Sequence, residues 1–262
     1  MSDEPSNDAV REAWDALAPY WDEQVEAGDT WQRHLIQPCV ERLRELKPGE
    51  RVLEIACGNG EFARRMAELG GSILATDFSD PMLERARARG GDVEYRSADA
   101  TDEEALLGLG DRGSFDAVVS NMAIMDMSSI EPMASAVARL LRPGGRFVLS
   151  TLHPAFNSGE AVPTTELVYR DGDVRKVYSV KVSSYAKPST AKGVALPGQP
   201  VEQWYFHRSI SDIFRAFFDH GFALDAFEEP LVDPERGTSG SPGYVYTEIP
   251  GVLVARLRAL QA

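Results

Sequence analysis

The 262-residue chain has little of several features that mark whole classes of protein. Its two cysteines, Cys39 and Cys57, supply neither a disulfide framework nor a metal-ligand cluster. No apolar run approaches the roughly 18 residues that cross a bilayer, so we expect no membrane span. The N-terminal sequence MSDEPSNDAV is acidic and polar, unlike a signal peptide, and we therefore expect a cytoplasmic protein.

Basic residues are also scarce, because 27 Lys and Arg stand against 41 Asp and Glu, for a formal net charge of -14. A surface of this charge repels phosphate backbones, so nucleic acid is not expected as a partner. The arginine-rich stretch ERARARG is interpreted as a solvated helix face. Apolar residues make up 43% of the chain, which is ordinary for a globular protein, and the length allows one large domain with an insertion.

Strand and helix patterns alternate from residue 51 onward. Five strand–helix alternations at this spacing predict a parallel sheet with helices on both faces. A further helix at 209–221 precedes two final strands. The five alternating strands are predicted in RVLEIAC, SILATDF, VEYRSAD, FDAVVSNMA and RFVLSTLHP, and the final two in FALDAFEEP and GVLVARLRAL.

Two regions depart from this rhythm. Apolar residues at helical spacing predict an N-terminal helix that Pro19 bends or restarts. The stretch ELVYRDGDVRKVYSVKV predicts a hairpin with its turn at Asp171 and Gly172. We therefore divide the chain into a helical cap at 1–46, a cofactor-binding core at 47–154, a lid insertion at 155–207, and a closing helix with the last strands at 208–262.

The turn after the first strand, in VLEIACGNGEFARRM, decides the class of ligand. Gly58, Gly60 and Ala63 fit the pattern G-x-G-x-x-A, which is typical of dinucleotide sites where a pyrophosphate rests on a helix N-terminus. Glu54 inside the strand would repel a pyrophosphate and favours a ligand with positive charge. S-adenosylmethionine (SAM) is such a ligand. Asp77 lies 17 residues after Gly60, where a ribose acid is expected for either ligand, so spacing alone leaves NAD and SAM open.

VLEIACGNG resembles the first motif of class I SAM-dependent methyltransferases, an acid followed by x-G-x-G-x-G, with Ala56 in place of the first glycine. ATDFSDPMLERAR, YRSADATD, FDAVVSNMAIMDM and LLRPGGRFVLS resemble the later motifs of that family, in order. The nearest subgroup is the small-molecule enzymes of the ubiquinone and menaquinone type, methyltransferase type 11. The resemblance implies an α/β, Rossmann-like, doubly wound seven-stranded sheet of order 3-2-1-4-5-7-6, with strand 7 antiparallel, N-terminal helices and a β-hairpin lid.

The resemblance also implies the residues that bind SAM. Asp77 would accept the ribose hydroxyls, Asp99 the adenine amino group, and Asn121 and Met122 would line the methionine end. Charge-assisted hydrogen bonds suit the carboxylate of Asp77 to a pair of O–H donors. The full predicted set is Tyr20, Glu54, Ala56, Gly58, Asn59, Gly60, Asp77, Phe78, Met82, Asp99, Ala100, Asn121 and Met122.

The acceptor side is predicted from aromatic residues and histidines. His153 directly follows the fifth strand and His207 precedes the closing helix, so either is a candidate general base near neutral pH. An aromatic lid fits a planar or apolar acceptor and excludes water. The predicted acceptor-binding residues are Trp21, His153, Tyr178, Trp204, Tyr205 and His207.

The sequence thus predicts methyl transfer from SAM to a small-molecule acceptor by in-line displacement, in which positioning supplies much of the rate. An NAD(P)-dependent oxidoreductase and a non-catalytic SAM-binding regulatory protein are the alternatives. A nucleic-acid methyltransferase is disfavoured by the acidic charge and by NMAI, which differs from the N-P-P-Y-like signature of amino-group DNA enzymes. A homodimer is left open.

Overall fold

The computed structural model describes residues 5–28, 31–159, 161–233 and 245–260. Its strands are β1 (Arg51–Ile55), β2 (Ser72–Asp77), β3 (Val93–Ser97), β4 (Phe115–Asn121), β5 (Leu141–Leu152), β6 (Ala161–Arg170), β7 (Asp173–Val182), β8 (Ser189–Gly193), β9 (Gln203–His207), β10 (Phe222–Glu228) and β11 (Val252–Ala259). Seven of these form one sheet in the order β3-β2-β1-β4-β5-β11-β10, in which β11 runs antiparallel to both neighbours. The predicted topology is confirmed, since β10 and β11 are the sixth and seventh strands of this sheet.

The helices are α1 (Asn7–Gly28), α2 (Gln37–Arg44), α3 (Glu61–Glu68), α4 (Asp80–Ala88), α5 (Glu103–Leu107), α6 (Glu131–Leu140) and α7 (Ile210–Phe218). A π-helical turn at Gln32–Ile36 precedes α2, and 3₁₀ turns lie at Ile124–Asp126 and Val245–Thr247. Helix α1 continues through Pro19 and does not restart there. Pro38 lies in the first turn of α2, a position that needs no N–H donor.

The central strands are buried on both faces because helices cover each side of the sheet. Successive strand residues point to opposite faces, so Leu53 packs in one cluster with α5, α6 and α7, and Val52 packs in the other with α2, α3 and α4. Both side chains are fully buried, and burial of such a side chain contributes about 1.5–3 kcal/mol. The near-continuous apolar runs of the sequence arise from this two-sided burial.

Side-chain caps fix where helices begin. The Ser79 hydroxyl accepts from the Met82 N–H at the start of α4. Asp102 caps α5 in the same way by accepting from the Ala105 N–H. Each such cap typically contributes about 1 kcal/mol. Helix α4 therefore begins directly after the end of β2, where a ligand-binding loop is expected.

One strand begins earlier than predicted. The sequence RPGG suggested a turn before a strand that starts at Arg146, whereas β5 begins at Leu141. Phe115 of β4 pairs with Leu141, and Ala117 pairs with Arg146, so a register shift absorbs the extra residues. Bulged pairing of this kind keeps the ladder continuous on either side of the irregularity.

The insertion after β5 forms two hairpins outside the main sheet. Strands β6 and β7 pair antiparallel around Asp171 and Gly172, whose φ angles of 54° and 86° are those of a type I′ turn. The predicted hairpin is confirmed. Strands β8 and β9 form a second antiparallel pair that the sequence analysis did not predict. Strand β9 leads directly into α7, so this second hairpin borders the core.

Candidate cofactor and acceptor site

A cavity of about 1170 Å³ opens at the carboxyl ends of the parallel strands. It lies where the strand order reverses, between β1 and β4, which is where open α/β sheets bind ligands. Residues from α1 and from the second hairpin complete its walls. The volume exceeds the usual range for one drug-sized ligand and suits two molecules side by side.

The turn after β1 has left-handed backbone geometry. Gly58 and Gly60 have φ angles of 55° and 73°, and Ala56 has 59°. A non-glycine residue in this region is strained by about 1–2 kcal/mol. Met122, at the end of neighbouring β4, has a φ of 52° and carries the same strain. Strained positions thus meet at the edge of the cavity, as is common at functional sites.

Glu54 is the buried acid of the cavity. It is 2% exposed, and its Oε2 has no hydrogen-bond partner among the described residues. Burial raises the pKa of Glu54 to about 8, an effect that the positive charge of Arg44 only partly offsets and the negative charge of Asp77 increases. A buried polar atom without a partner is costly, so this carboxyl fits a ligand that brings a cation or a donor.

Asp77 joins the end of β2 to the glycine turn. Its Oδ2 accepts from the Gly58 N–H at 2.8 Å, and its Oδ1 accepts from the Ser79 N–H at 2.9 Å. Burial raises the pKa of Asp77 to about 6, although these backbone bonds favour the ionised form. Each oxygen has a second lone pair for a ligand. Asp77 therefore both shapes the turn and faces the cavity.

Asp99 is already hydrogen-bonded. Its Oδ1 accepts from the N–H and the hydroxyl of Thr101, at 2.8 and 2.7 Å. Its Oδ2 accepts from Arg11 at 3.1 Å and from the Asn7 side-chain amide. The Arg11 guanidinium also lies 5.6 Å from the centre of the Phe78 ring, within cation–π range. Helix α1 thus closes over the end of β3.

Two acids of α1 contact the loops after β1 and β2. Asp15 accepts from the Ser79 hydroxyl at 2.6 Å. Asp22 accepts from the Asn59 side-chain amide and from Arg89, each at 2.9 Å. The helix therefore lies across the loops after β1, β2 and β3, and each contact is polar.

Most of the predicted cofactor residues line this cavity. Tyr20 and Gly60 are not among its lining residues in the described chain. The Tyr20 hydroxyl instead donates to the Pro197 carbonyl at 2.7 Å, while the adjacent Trp21 lines the cavity. A Cβ on Gly60 would lie 2.4 Å from the Tyr95 hydroxyl, so this glycine allows close packing behind the turn. The predicted residues in the lining are Glu54, Ala56, Gly58, Asn59, Asp77, Phe78, Met82, Asp99, Ala100, Asn121 and Met122.

The second hairpin forms the opposite wall. Tyr205 and His207, two residues apart on β9, both line the cavity. The His207 Nε2 lies 2.8 Å from the Tyr185 carbonyl, which can only accept, so Nε2 carries the proton. Nδ1 of a neutral His207 is then an acceptor. This geometry allows His207 to take a proton from a bound hydroxyl or amine.

A family described as "Methyltransferase domain" matches residues 53–149. A crystal structure of an S-adenosylmethionine dependent methyltransferase from Mesorhizobium loti is similar over 88% of this chain and 99% of that chain, with a TM-score of 0.67 and 26% identity. Residues 53–149 thus match a methyltransferase domain, and the described chain has the fold of SAM-dependent methyltransferases. The glycopeptide N-methyltransferase MtfA, solved with SAM, shares the fold with a TM-score of 0.56 and 16% identity over 86% of this chain and 92% of that chain.

Curated methyltransferases are similar over part of their length. A demethylmenaquinone methyltransferase from Renibacterium salmoninarum is 30% identical over 167 residues, which is 62% of this chain and 66% of the relative. A ubiquinone biosynthesis O-methyltransferase from Xanthomonas oryzae pv. oryzae is 36% identical over 109 residues, 40% of this chain and 44% of the relative. The chain thus spans less than two thirds of the length of these relatives.

SAM fits the residues that line this cavity. The Glu54 carboxyl beside the glycine turn, whose Oε2 has no hydrogen-bond partner among the described residues, suits a ligand with an ammonium group and without phosphate. No helix of the described residues is long and apolar enough to cross a membrane. The fold thus comes with the acid that was expected on β1, Glu54.

Three of the predicted acceptor residues do not reach the cavity. Tyr178 lies on β7, in the outer hairpin, and Trp204 stacks with Lys192, whose Nζ is 4.5 Å from the ring centre. His153 is 1% exposed. None of the three is a lining residue in the described chain.

His153 has both ring nitrogens engaged. Its Nδ1 accepts from the Ala155 N–H at 3.2 Å, so the proton lies on Nε2, which donates to Glu229 at 2.8 Å. Burial lowers the pKa of His153, although Glu229 favours its charged form. The ring also stacks on Phe156, with 4.5 Å between ring centres. His153 thus links the end of β5 to Glu229 and Phe156, and this geometry gives it no access to an acceptor.

Asp126 and Gln203 are among the polar residues of the cavity that sequence reasoning missed. Asp126 ends the 3₁₀ turn after β4, and Gln203 begins β9. Asp126 lies in the segment FDAVVSNMAIMDM, for which only Asn121 and Met122 were predicted as site residues. A charged side chain in an otherwise apolar segment at a strand end is the signal that would have found it.

Proposed function

We propose that this protein transfers a methyl group from SAM to a small-molecule acceptor held between the sheet and the second hairpin. The observation that carries the proposal is Glu54, a buried carboxyl whose Oε2 has no hydrogen-bond partner among the described residues, at the glycine turn of a large cavity. An NAD(P)-dependent oxidoreductase would place a pyrophosphate near this acid, which is electrostatically unfavourable.

The chain offers a residue for each part of SAM. Glu54 is proposed to hold the methionine ammonium, and Asp77 the ribose hydroxyls. Asp99 is proposed to accept from the adenine amino group, which must then share Oδ2 with Arg11 or displace it. The half-buried Phe78 and the buried Met82 provide apolar surface for the adenine ring.

SAM supplies a methyl group already activated by its sulfonium, so the contribution of the protein is chiefly orientation and exclusion of water. Helix α1 covers the cofactor loops, and β9 covers the acceptor side. Nδ1 of His207 is available to take the proton of an attacking hydroxyl. An acceptor carbon that is already nucleophilic needs no such base.

The acceptor is proposed to be a planar aromatic molecule. The cavity wall on this side includes the apolar side chains of Met127, Phe206 and Ile213, which can pack against a ring. The names of the curated relatives describe methyl transfer to demethylmenaquinone and in ubiquinone biosynthesis, and ring compounds of this type agree with such a wall. Homodimerisation, the exclusion of nucleic acids and the cytoplasmic location stay predictions from the sequence.

Substitution of Glu54 tests the cofactor assignment. Glu54→Gln keeps the size of the side chain but removes its charge, and we expect S-adenosylhomocysteine (SAH) to bind roughly 10–100-fold more weakly, the effect of one hydrogen bond to a charged group. Titration calorimetry measures this. Glu104→Gln, an exposed change on α5, is the matched control and should leave the Kd unchanged.

Turnover is measured separately, with methyl-labelled SAM and a panel of small aromatic acceptors. Labelled product that disappears in Glu54→Gln supports the proposal. Binding of NADH by the wild-type protein, with no binding of SAM or SAH, would refute it. SAH binding without product from any acceptor would favour the non-catalytic alternative.

A further inference from the structure

Asp126 is an acid of the cavity that cofactor binding does not use. It lies at the end of the 3₁₀ turn after β4 and faces the cavity together with residues of β9. Its one hydrogen bond from a described residue comes from the Gln203 side-chain amide, at a long 3.3 Å. Burial raises the pKa of Asp126 well above its ordinary value, and the Gln203 bond only partly offsets this.

The polar groups around Asp126 come from one strand. Gln203, Tyr205 and His207 alternate along β9, so their side chains share a face. All three line the cavity with Asp126. Burial and the negative charge of Asp126 both raise the pKa of the Tyr205 hydroxyl, so the two groups are electrostatically close. The set thus forms one polar patch on the acceptor wall.

Arg208 fixes this patch in place. Its guanidinium donates to the carbonyls of Ile124, Met127 and Ser128, at 3.2, 2.7 and 2.7 Å. These carbonyls flank Asp126 on the 3₁₀ turn and the segment after it, while Arg208 itself follows β9. Arg208 therefore holds the 3₁₀ turn against the second hairpin. Most of the N–H groups of its guanidinium that form hydrogen bonds donate to backbone oxygens.

The other acids that line the cavity have different partners. Asp99 pairs with Arg11, Glu61 lies 3.8 Å from Arg33, and Asp77 accepts from backbone N–H groups. Glu54 is assigned to the methionine ammonium of SAM. Among the described residues, Asp126 has a single long side-chain bond, to a neutral amide, and a carboxyl in this situation is satisfied by a donor on a ligand.

We propose that Asp126, supported by Gln203 and Tyr205, binds a hydrogen-bond-donating group of the acceptor, a hydroxyl or an amine carried on an aromatic body. The inference rests on the proposed function, because it assigns the second occupant of the cavity. Asp126 then orients the acceptor by its polar group, with Met127, Phe206 and Ile213 against its apolar body. His207, on the same face of β9, is available for the proton of the attacking atom.

Binding of three naphthalenes to the SAH complex tests this subsite. The probes are 2-naphthol, 2-(aminomethyl)naphthalene and 2-methoxynaphthalene, which share the ring and differ in the donor. We expect the wild-type complex to bind at least one of the first two about tenfold or more tightly than the methoxy compound, because only these two offer a donor to the Asp126 carboxyl. Calorimetry at saturating SAH measures the three Kd values.

Two substitutions separate charge from hydrogen bonding. Asp126→Leu removes both and should abolish the preference for a donor. Asp126→Asn keeps an acceptor oxygen, so it should retain part of the preference for 2-naphthol but lose that for the amine. Asp111→Asn, an exposed acid change, is the control and should behave as the wild type. Unchanged SAH affinity shows that each variant is folded, and Asp126→Asn decides the test if the leucine variant is not.

The outcomes distinguish the two assignments. Equal binding of all three probes, no binding of either donor-bearing probe, or a preference that survives in Asp126→Leu would overturn the subsite while SAH binding leaves the proposed function standing. If the wild-type protein does not bind SAH, the proposed function is refuted, and the assignment of the subsite with it.

Discussion

The parallel sheet and the first hairpin of the insertion place similar residues in opposite surroundings. Leu53 on β1 is fully buried, whereas Leu167 on β6 is 71% exposed. In the sheet, each strand is held by packing from helices on both faces. In the hairpin, apolar residues such as Tyr169 and Val174 pair directly across the two strands and still remain exposed. Packing therefore fixes the cofactor half, and local turn chemistry fixes the hairpin.

This difference has a functional meaning. The residues proposed to hold SAM follow buried strands, so their positions are determined by the whole core. The acceptor wall depends on β9 and on polar contacts such as those of Arg208 and Tyr20. A family that keeps one donor and varies its acceptors is expected to place the two halves in this way.

The largest expected contrast is in stability. Leu53→Ala should lower the free energy of unfolding by about 2–5 kcal/mol, because it leaves a cavity in the core. Leu167→Ala, the same change on the exposed hairpin, should cost less than about 0.5 kcal/mol. Urea denaturation of both variants measures the pair. Similar losses would show that the hairpin is packed against something in solution.

The next effect is the pH dependence of SAH binding. Unliganded Glu54 has a pKa of about 8 instead of 4.5, so it is protonated at pH 6 and must lose its proton to pair with an ammonium. Affinity should therefore rise with pH, by up to about tenfold per unit between pH 6 and 8. Glu54→Gln should flatten this rise and leave only the smaller part due to Asp77 near pH 6. A flat wild-type profile would contradict the assignment.

The same raised pKa gives a stability prediction without ligand. The folded state binds the Glu54 proton more tightly than the unfolded state, so this acid disfavours folding increasingly as pH rises from 4.5 to about 8. Thermal melting of the wild-type protein relative to Glu54→Gln, followed across this window, checks the sign. If the wild-type protein instead becomes more stable relative to Glu54→Gln as pH rises, a cation lies beside Glu54.

A smaller contrast lies within the glycine turn. Gly58→Ala meets no atom within 4 Å and should cost only the strain of its left-handed backbone, about 1–2 kcal/mol. Gly60→Ala carries the same strain and also drives its Cβ into the Tyr95 ring, so we expect about 1–3 kcal/mol more. Chemical denaturation gives the difference directly. Equal costs would mean that Tyr95 moves aside freely.

The smallest effect compares left-handed residues in the two regions. Ala56→Gly should stabilise the protein by about 0.5 kcal/mol, since relief of strain slightly exceeds the entropy lost by glycine. Asp171→Gly at the hairpin tip should give no gain, because aspartate tolerates this geometry in turns. Thermal unfolding of the two variants measures both. A stabilisation by Asp171→Gly larger than that by Ala56→Gly would contradict the strain argument.

The sheet and most of the cofactor wall were predictable because local signals and tertiary structure agree there. Alternating strands and helices defined the order of the core, and the Asp171–Gly172 pair marked the turn of the first hairpin. Glu54 and Asp77 could be placed because each is tied to a strand end whose position follows from the topology.

The acceptor wall was less predictable because it depends on which way side chains point. His153 ends a parallel strand, as a site residue should, but its ring turns away to Glu229. Tyr20 and Trp21 are neighbours on α1, and about 100° of helical rotation brings the tryptophan to the cavity and not the tyrosine. Strands β8 and β9 are five residues each and pair across a long connection, so no local turn signal announces them.

The contacts of α1 with the cofactor loops have a kinetic consequence. The helix buries a few apolar side chains, including Val10 and Leu17, but over the cavity it is held by ion pairs and hydrogen bonds. Such contacts are weakened by dissolved ions and re-form readily in water. Under the proposed function, we therefore expect this helix to lift for release of the demethylated product while the sheet stays intact, and the release rate to increase with ionic strength.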